Sequence, residues 1–318
     1  MSCNDLVHGV VQDLVRTLRV RGMPSARNLL VTVFGDAVAP VAPVASVATV
    51  DVAVPVQALV RLLEGVGTSD RLVRTSLSRL VSDGLLRNEK VGRRSIYSID
   101  PTARSLFARA EERIYHHREP AWDGRWTLAI VDATASTAAQ RTELRRELTW
   151  LGMGSIAPNV LASPSVEPGQ ITSMLERMGG AHHVLVTRGD AVDATSTMSD
   201  EEIARRCAPT HELSQRYAEI VDWFAPVAAV LGETSEPTPQ DAWTIRLLLV
   251  ATFRRVVLTD PTLPERLLPD PWIGATAREL VGSLYAIVYA PAEKWLASVC
   301  ADPITAWPSD ADSGTRFR

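Results

Sequence analysis

The pattern of apolar and polar positions predicts three helices followed by a hairpin in the first third of the chain. Apolar residues recur every three to four positions from Ala26 to Ala37, from Val56 to Leu63 and from Leu72 to Leu80. Two short strand-like runs then flank the turn residues around Gly92. Three helices followed by a hairpin are the element order of a winged helix-turn-helix domain.

The third of these helices has two different faces. Ser69 can cap its first turn and Gly84 can end it. One face is apolar, so we expect it to be buried; it comprises Leu72, Val73, Leu77 and Leu80. The opposite face and the hairpin tip are polar and cationic, which suits contacts with base edges and phosphates. The predicted DNA-binding residues are Ser69, Arg71, Arg74, Thr75, Ser78, Arg79, Lys90, Arg93 and Arg94.

Two segments of the first third lie outside this pattern. Residues 1–23 show a weak helical period and end at a Gly-Met-Pro break, so we interpret them as a loosely attached extension. Residues 38–50 form a run of Ala, Val and Pro, which predicts a loop with extended character. A helix from Pro101 to about Arg118 then leads into the next region.

From Trp122 onward the predicted elements change. Their order is strand, helix, strand, helix, strand, which suggests a small sheet of ferredoxin-like type; the strands lie at 126–131, 156–162 and 183–187. Beyond it the pattern is helical, beginning with a helix that Ser199 caps. After a polar, proline-bearing break at 233–239, three more helices are predicted, at 242–259, 275–289 and 292–300.

The sequence therefore predicts an α+β protein of several domains. A chain of 318 residues is too long for one hydrophobic core. The predicted parts are an N-terminal extension (1–23), a winged helix-turn-helix DNA-binding domain (24–120), a ferredoxin-like middle domain (121–198) and a helical effector and dimerisation domain (199–318).

Charge is unevenly distributed along the chain. The net charge is -4, but residues 24–118 contain thirteen basic and nine acidic residues, a net of +4. Residues 119–318 contain seventeen basic and twenty-six acidic residues, a net of -9, together with all eight tryptophans. A basic segment joined to an acidic body is typical of a nucleic-acid binder with a separate sensing or assembly domain.

Composition and cysteine usage indicate a globular cytoplasmic protein. Hydrophobic residues make up 46% of the chain and charged residues 22%, which are ordinary globular values. No apolar stretch approaches the roughly 20 residues that cross a bilayer. The three cysteines are far apart, which suits neither a disulfide framework nor a zinc cluster. We expect no membrane association, no metal site and no cofactor.

Sequence motifs give little support to an enzyme. The chain has no glycine-rich phosphate loop, no Gly-x-Ser-x-Gly elbow and no His-Glu-x-x-His. The middle domain resembles small Cas2-type nucleases, and Asp132 follows its first strand where such nucleases bind a metal ion. A single carboxylate is too little for metal-dependent cleavage, so we expect Asp132 to cap the following turn. No catalytic residue is predicted, and a DNA-bound interaction protein without an inducer is the other alternative.

Four segments resemble the phenylacetate-degradation repressor (PaaX) family. They are 26–36 (ARNLLVTVFGD), 71–80 (RLVRTSLSRL), 122–126 (WDGRW) and the stretch from Phe253 to Trp272. They occur in the family's order and span most of the chain. The sequence departs from the family in its longer run at 38–50 and in the added residues 1–23, and neither departure affects the segments predicted to bind DNA.

The resemblance implies a dimeric bacterial repressor of a catabolic operon for aromatic acids. Its implied partners are an inverted-repeat operator in double-stranded DNA, a second copy of the chain and a small effector. In the founding case the effector is phenylacetyl-CoA, an aryl-acyl thioester. Such a ligand needs cations for its phosphates and an aromatic slot for its acyl group. The candidate effector-binding residues are Trp243, Arg246, Arg254, Arg255, Trp272 and Tyr285.

Overall fold

Two units make up the fold, and each combines segments that are distant in the sequence. The computed structural model describes residues 3–39, 52–116, 122–179, 183–191, 198–208, 210–233, 237–301 and 316–317. The first unit comprises Met1–His117, Glu219–Arg255 and Ala275–Arg318, and the second comprises Arg118–Ala218 and Val256–Gly274. The predicted loop at 38–50 lies outside the described residues except for its first two positions.

Helices and strands are mixed along the chain, as the sequence predicts. The α-helices of the described residues are α1 (Cys3–Arg21), α2 (Ala26–Thr32), α3 (Val56–Leu62), α4 (Asp70–Ser82), α5 (Arg104–Tyr115), α6 (Ala138–Leu151), α7 (Pro168–Met178), α8 (Asp200–Cys207), α9 (Thr210–Glu233), α10 (Pro239–Val257) and α11 (Ile273–Cys300). The strands are β1 (Val54–Pro55), β2 (Leu86–Val91), β3 (Arg94–Ile99), β4 (Arg125–Val131), β5 (Gly154–Ala157), β6 (Val160–Ser163) and β7 (Val184–Asp190). Among the described helices, none has both the length and the apolar character needed to cross a membrane.

Helix α1 corrects the expectation of a loosely attached extension. Its apolar residues recur at helical spacing, and five of them are buried: Val7, Val11, Leu14, Val15 and Leu18. Its polar face also contacts α10, since the His8 ring nitrogen lies 3.0 Å from the carboxylate of the buried Asp241. The weak period seen in the sequence is therefore a buried stripe.

The first unit contains the predicted order of three helices and a hairpin. The side chain of Ser25 caps α2 and that of Ser69 caps α4, each accepting a backbone N–H three residues on. Helix α4 packs against α2 and α3. It ends at Gly84, which has a positive φ of 69° that a side chain would disfavour. Strands β2 and β3 pair antiparallel, and β1 adds to the outer edge of β3.

The second unit is built around a four-stranded antiparallel sheet. Its strand order is β5-β6-β4-β7, and α6 and α7 provide helices between its strands. The single strand predicted at 156–162 is in fact the hairpin of β5 and β6, because the chain turns between Ala157 and Val160. The core between sheet and helices consists of Ala129, Val131, Leu144, Leu148, Met153, Leu161, Val166, Ile171 and Met174.

The Trp-Asp-Gly-Arg-Trp segment connects several elements of the second unit. Trp122 and Trp126 contact edge to face, with ring centroids 5.5 Å apart. The indole N–H of Trp126 donates to Asp200 at the start of α8 (2.7 Å). The guanidinium carbon of Arg266 lies 3.7 Å from the Trp122 ring centroid. These contacts tie the first strand of the sheet to α8 and to the turn that carries Arg266.

Helices α10 and α11, with the part of α9 that begins at Glu219, complete the first unit. In place of two predicted helices at 275–289 and 292–300 there is one helix, α11, which continues through Pro291. Helix α10 is buried along most of its length, and the indole N–H of Trp243 donates to the Leu62 carbonyl at the end of α3 (2.8 Å). The predicted N-terminal domain and two of the C-terminal helices thus share one core.

Asp36 is the centre of a buried polar cluster in this core. It lies in the π-helical segment Val33–Val38 that follows α2, and it is only 2% exposed. Its carboxylate accepts hydrogen bonds from the hydroxyls of Tyr115 (2.5 Å) and Tyr285 (2.9 Å). It also accepts from Arg246 Nε (2.7 Å) and contacts Arg316 Nη1 (3.3 Å). One carboxylate therefore joins α5, α10, α11 and the C-terminal end of the chain.

Electrostatic pairing keeps the carboxylate of Asp36 charged. Burial by itself raises its pKa, but the cations Arg246 and Arg316 and the tyrosine hydroxyl outweigh burial and hold the pKa below its ordinary value. Each arginine has a second acidic partner, Glu293 for Arg246 and Glu111 for Arg316, both at 2.6 Å. Every charge in the cluster is paired, which is what burial of charged groups requires.

Replacing Asp36 by Asn should destabilise the protein by about 3–5 kcal/mol at pH 7, because Arg246 loses its buried counter-charge. The loss should shrink as the pH falls below about 4. Because the pKa of Asp36 is lower in the folded than in the unfolded state, its ionised carboxylate stabilises the folded protein at pH values above the unfolded-state pKa. This stabilisation is lost as the pH falls and the folded carboxylate becomes protonated. Denaturant unfolding across this pH range measures both effects.

Asp13→Asn is the matched control, since Asp13 pairs with Arg16 on the exposed surface of α1. It should change stability by less than about 1 kcal/mol. An Asp36 variant as stable as this control would contradict the structural role of the cluster.

Candidate nucleic-acid interface

Helix α4 presents a buried face and a polar face. Val73, Leu77 and Leu80 are fully buried against the rest of the first unit. The nine residues predicted to contact DNA are all exposed on α4 and on the β2–β3 hairpin, and we call them the cationic surface: Ser69, Arg71, Arg74, Thr75, Ser78, Arg79, Lys90, Arg93 and Arg94.

The arginines of α4 differ in their partners. Arg74 Nε donates to the Asp70 carboxylate one turn earlier (2.7 Å), which orients its guanidinium along the helix. The Thr75 hydroxyl donates to the Arg71 carbonyl (2.8 Å). Within the described part of the chain, the guanidinium groups of Arg71 and Arg79 have no hydrogen bond or ion pair. Two cations on this helix are therefore available to an external anion.

The hairpin turns at the predicted position. Val91 pairs with Arg94, which leaves Gly92 and Arg93 as the two turn residues. Gly92 has a φ of 63°, the left-handed region that the first position of a two-residue turn requires and that glycine adopts without strain. Lys90 precedes this turn on β2 and is exposed. The turn and the strand ends beside it therefore carry three exposed cations within five residues.

Leu72 was predicted to be buried, and the structure shows that this is wrong. Its side chain is 55% exposed on the first turn of α4. The buried residues Val73, Leu77 and Leu80 define an inner face from which Leu72 is rotated by about 100°. The sequence already indicated that Leu72 is exposed, because the helical spacing of these three residues places Leu72 outside the inner face.

Three of the candidate effector residues belong to the buried Asp36 cluster. Arg246 is 1% exposed, and its guanidinium carbon lies 5.1 Å from the Tyr285 ring centroid and 5.9 Å from that of Trp243. The polar atoms of all three side chains have protein partners, Asp36 for Arg246 and Tyr285 and the Leu62 carbonyl for Trp243. The structure brings these residues together as an internal cluster of the first unit.

The other three candidates lie apart. Arg254 contacts the Asn28 carbonyl and the Thr32 hydroxyl of α2, both at 3.4 Å, and burial lowers its pKa to about 10. Arg255 is exposed and donates to the Gly22 carbonyl (3.3 Å). Trp272 belongs to the second unit, where its ring contacts Tyr217 with centroids 5.8 Å apart.

Arg254 also lines a pocket of the first unit between α2, α5 and α10. The pocket has a largely apolar wall, with Asp36, Glu111 and Tyr115 as further polar groups. The apolar part of the wall consists of Val31, Phe107, Ala110, Ile114 and Val250. Of the six candidates, Arg254 is the one that lines this pocket.

Asp132 has the capping role expected from the sequence. Its carboxylate accepts from the Thr134 N–H (2.8 Å) and the Thr134 hydroxyl (2.7 Å), and also from the Ala135 N–H (3.3 Å). These hydrogen bonds hold its pKa below the ordinary value. In the described ranges no three acidic, histidine or cysteine side chains converge as metal ligands.

Comparison with known sequences covers most of the chain. Residues 25–102 match the family described as PaaX-like protein, and residues 209–298 match the PaaX-like protein C-terminal domain. Residues 119–202 match the PaaX protein central Cas2-like domain. The chain belongs to the PaaX family. It is 39% identical over 237 residues to the Transcriptional repressor PaaX of Escherichia coli (strain K12), which covers 74% of each protein.

A solved structure shares the fold of this PaaX-family chain. It is the Uncharacterized protein Rv0674 from Mycobacterium tuberculosis, which matches with a TM-score of 0.51 at 19% identity. The match covers 86% of this chain and 98% of that one. The matched region therefore includes residues of both units, and the similarity concerns the fold alone.

Replacing Arg93 and Arg94 together by Ala should weaken binding to double-stranded DNA of any sequence. Loss of two phosphate contacts should make the dependence of log K on log salt less steep by about one to two units. Titration of a random-sequence duplex at several salt concentrations measures the slope.

The matched control removes the adjacent exposed arginines Arg205 and Arg206 of α8, which changes the net charge equally. This control should leave the slope unchanged. If the hairpin variant and the control gave the same slope, the hairpin would not contact DNA.

Proposed function

We propose that this protein is a transcriptional repressor that binds operator DNA through α4 and the β2–β3 hairpin. The observation that carries the proposal is that helix α4 has two different faces. Three apolar side chains bury its inner face, and its outer face exposes arginine, threonine and serine beside the cationic hairpin turn. Arginine pairs with guanine through two hydrogen bonds, and serine and threonine contact bases or phosphates. The repressor function of the Escherichia coli relative supports the proposal.

The first unit supports a winged helix-turn-helix assignment. Helices α2, α3 and α4 precede the hairpin, and α4 packs on the two earlier helices. In this interpretation α4 enters the major groove with its N-terminal residues toward the bases, while the hairpin follows the phosphates of the adjacent groove. The order β-α-β-β-α-β in the second unit similarly supports a ferredoxin-like middle domain.

A dimer on an inverted repeat follows from the size of the interface. One helix and one hairpin bury little DNA surface, and tight specific binding by such modules usually requires two half-sites. Two copies related by a twofold axis then bind a site with the same symmetry. In vitro selection of duplexes from a random library should return an inverted repeat.

Arg74→Ala should make the free energy of binding to the selected duplex less favourable by about 1–3 kcal/mol. It should also relax the base preference at one position of each half-site. Asp70 holds Nε of Arg74, so the two terminal nitrogens remain for a guanine. Fluorescence anisotropy with the selected duplex and its single-base variants measures both quantities.

Arg74→Lys is the control, because lysine keeps the charge but lacks the paired donors. It should retain binding to random DNA while losing the base preference. If Arg74→Ala weakened random and selected DNA equally, Arg74 would contact phosphate and the proposed readout would be wrong.

We propose further that a small aromatic effector, an aryl-acyl-CoA or a related acid, releases the protein from an operon for aromatic acid degradation. Arg254 is the best-placed candidate, because it combines a cation with a pocket that has an apolar wall. The cavity volume is about 20 Å³, so helices α2, α5 and α10 must separate to admit an aryl group. It also contacts α2, which packs on α4, so a ligand at Arg254 has a short route to the DNA-binding helix. Trp243, Arg246 and Tyr285 would act indirectly, through the Asp36 cluster.

Phenylacetyl-CoA and phenylacetate should be titrated by calorimetry with and without the selected duplex. If the effector weakens DNA binding 100-fold, about 2.7 kcal/mol, the duplex must weaken effector binding by the same factor. Arg254→Gln should reduce effector affinity while preserving DNA affinity. Equal effector affinity with and without DNA would exclude the switch, and absence of binding by both compounds would exclude this effector class.

A further inference from the structure

Leu72 is an apolar side chain in the middle of a polar, cationic surface. It is 55% exposed, whereas the neighbouring apolar residues of α4 are fully buried. It occupies the third position of the helix after the Ser69 cap, between Arg71 and Arg74. An exposed leucine contributes little to the stability of the folded protein, because more than half of its side chain stays in contact with water.

The chemistry around Leu72 favours DNA as that partner. The exposed side chains around it on α4 are cationic or hydroxyl-bearing except for Asp70, whose carboxylate pairs with Arg74 (2.7 Å). The guanidinium groups of Arg71 and Arg79 have no ion pair within the described residues. A protein partner that buried Leu72 would also have to neutralise these cations. A DNA duplex provides both kinds of contact. Its phosphates neutralise arginine, and the thymine C5-methyl group offers an apolar contact in the major groove.

We propose that Leu72 contacts a thymine methyl group in the operator half-site and is a specificity-determining residue. This inference rests on the proposed DNA-binding function. Residues in the first turns of a recognition helix are those that reach base edges. Arginine and threonine on the same helix read hydrogen-bonding groups, and Leu72 adds a contact that distinguishes thymine from cytosine by its methyl group alone.

Removal of single methyl groups from the DNA tests this contact. In the duplex obtained by in vitro selection, each thymine of the half-site is replaced in turn by deoxyuridine, which lacks only the C5-methyl group. At one position the wild-type protein should lose affinity about fourfold, the factor expected for burial of one methyl-sized group. Leu72→Ala should bind the unmodified duplex more weakly and show no further loss with deoxyuridine at that position.

The controls separate this inference from the proposed function. Leu185→Ala removes a similarly exposed leucine (63%) from β7 and should leave the deoxyuridine effect intact. If the wild-type protein selects no duplex at all, the proposed DNA-binding function fails together with the inference. If it selects a duplex but no thymine is sensitive, or if Leu72→Ala keeps the full sensitivity, the inference alone is overturned.

Discussion

The pairing of Asp36 with Arg246 and Arg316 is the interaction on which the first unit depends. Asp36 follows α2 directly, and its partners come from α5, α10, α11 and the end of the chain. Removing charges from water is costly unless each one is paired, so this cluster is stable only when all of these segments are in place. The cluster therefore couples the helices of the proposed DNA-binding head to the C-terminal helices.

This coupling gives the two classes of charged side chain different roles. The buried arginines at 246 and 316 are paired with carboxylates and hold the unit together. The exposed arginines at 71 and 79 have no such partners among the described residues and are available to a ligand. Helix α2 contacts both Arg254, which lines the pocket beside the buried cluster, and α4, which carries the exposed arginines.

Local signals predicted the secondary structure of α4 and of the β2–β3 hairpin, and long-range contacts limited the rest. The Ser69 cap, the Gly84 stop and the turn at Gly92 are each set by neighbouring residues, and all were predicted from the sequence. The sequence predicts one strand where the structure has the hairpin of β5 and β6, because both arms are apolar and the turn between them is short. The Asp36–Arg246 pair could not be foreseen, since the partners are 210 positions apart.

The most direct test compares the affinity of the intact protein for the selected duplex with its affinity for a scrambled duplex of the same length and composition. Both are measured at physiological salt, where non-specific phosphate contacts are weakened. A repressor that reads bases through α4 should favour the selected duplex by about a thousandfold or more. Equal affinity for the two duplexes would contradict the account, because the cationic surface would then serve only as a general anion-binding face.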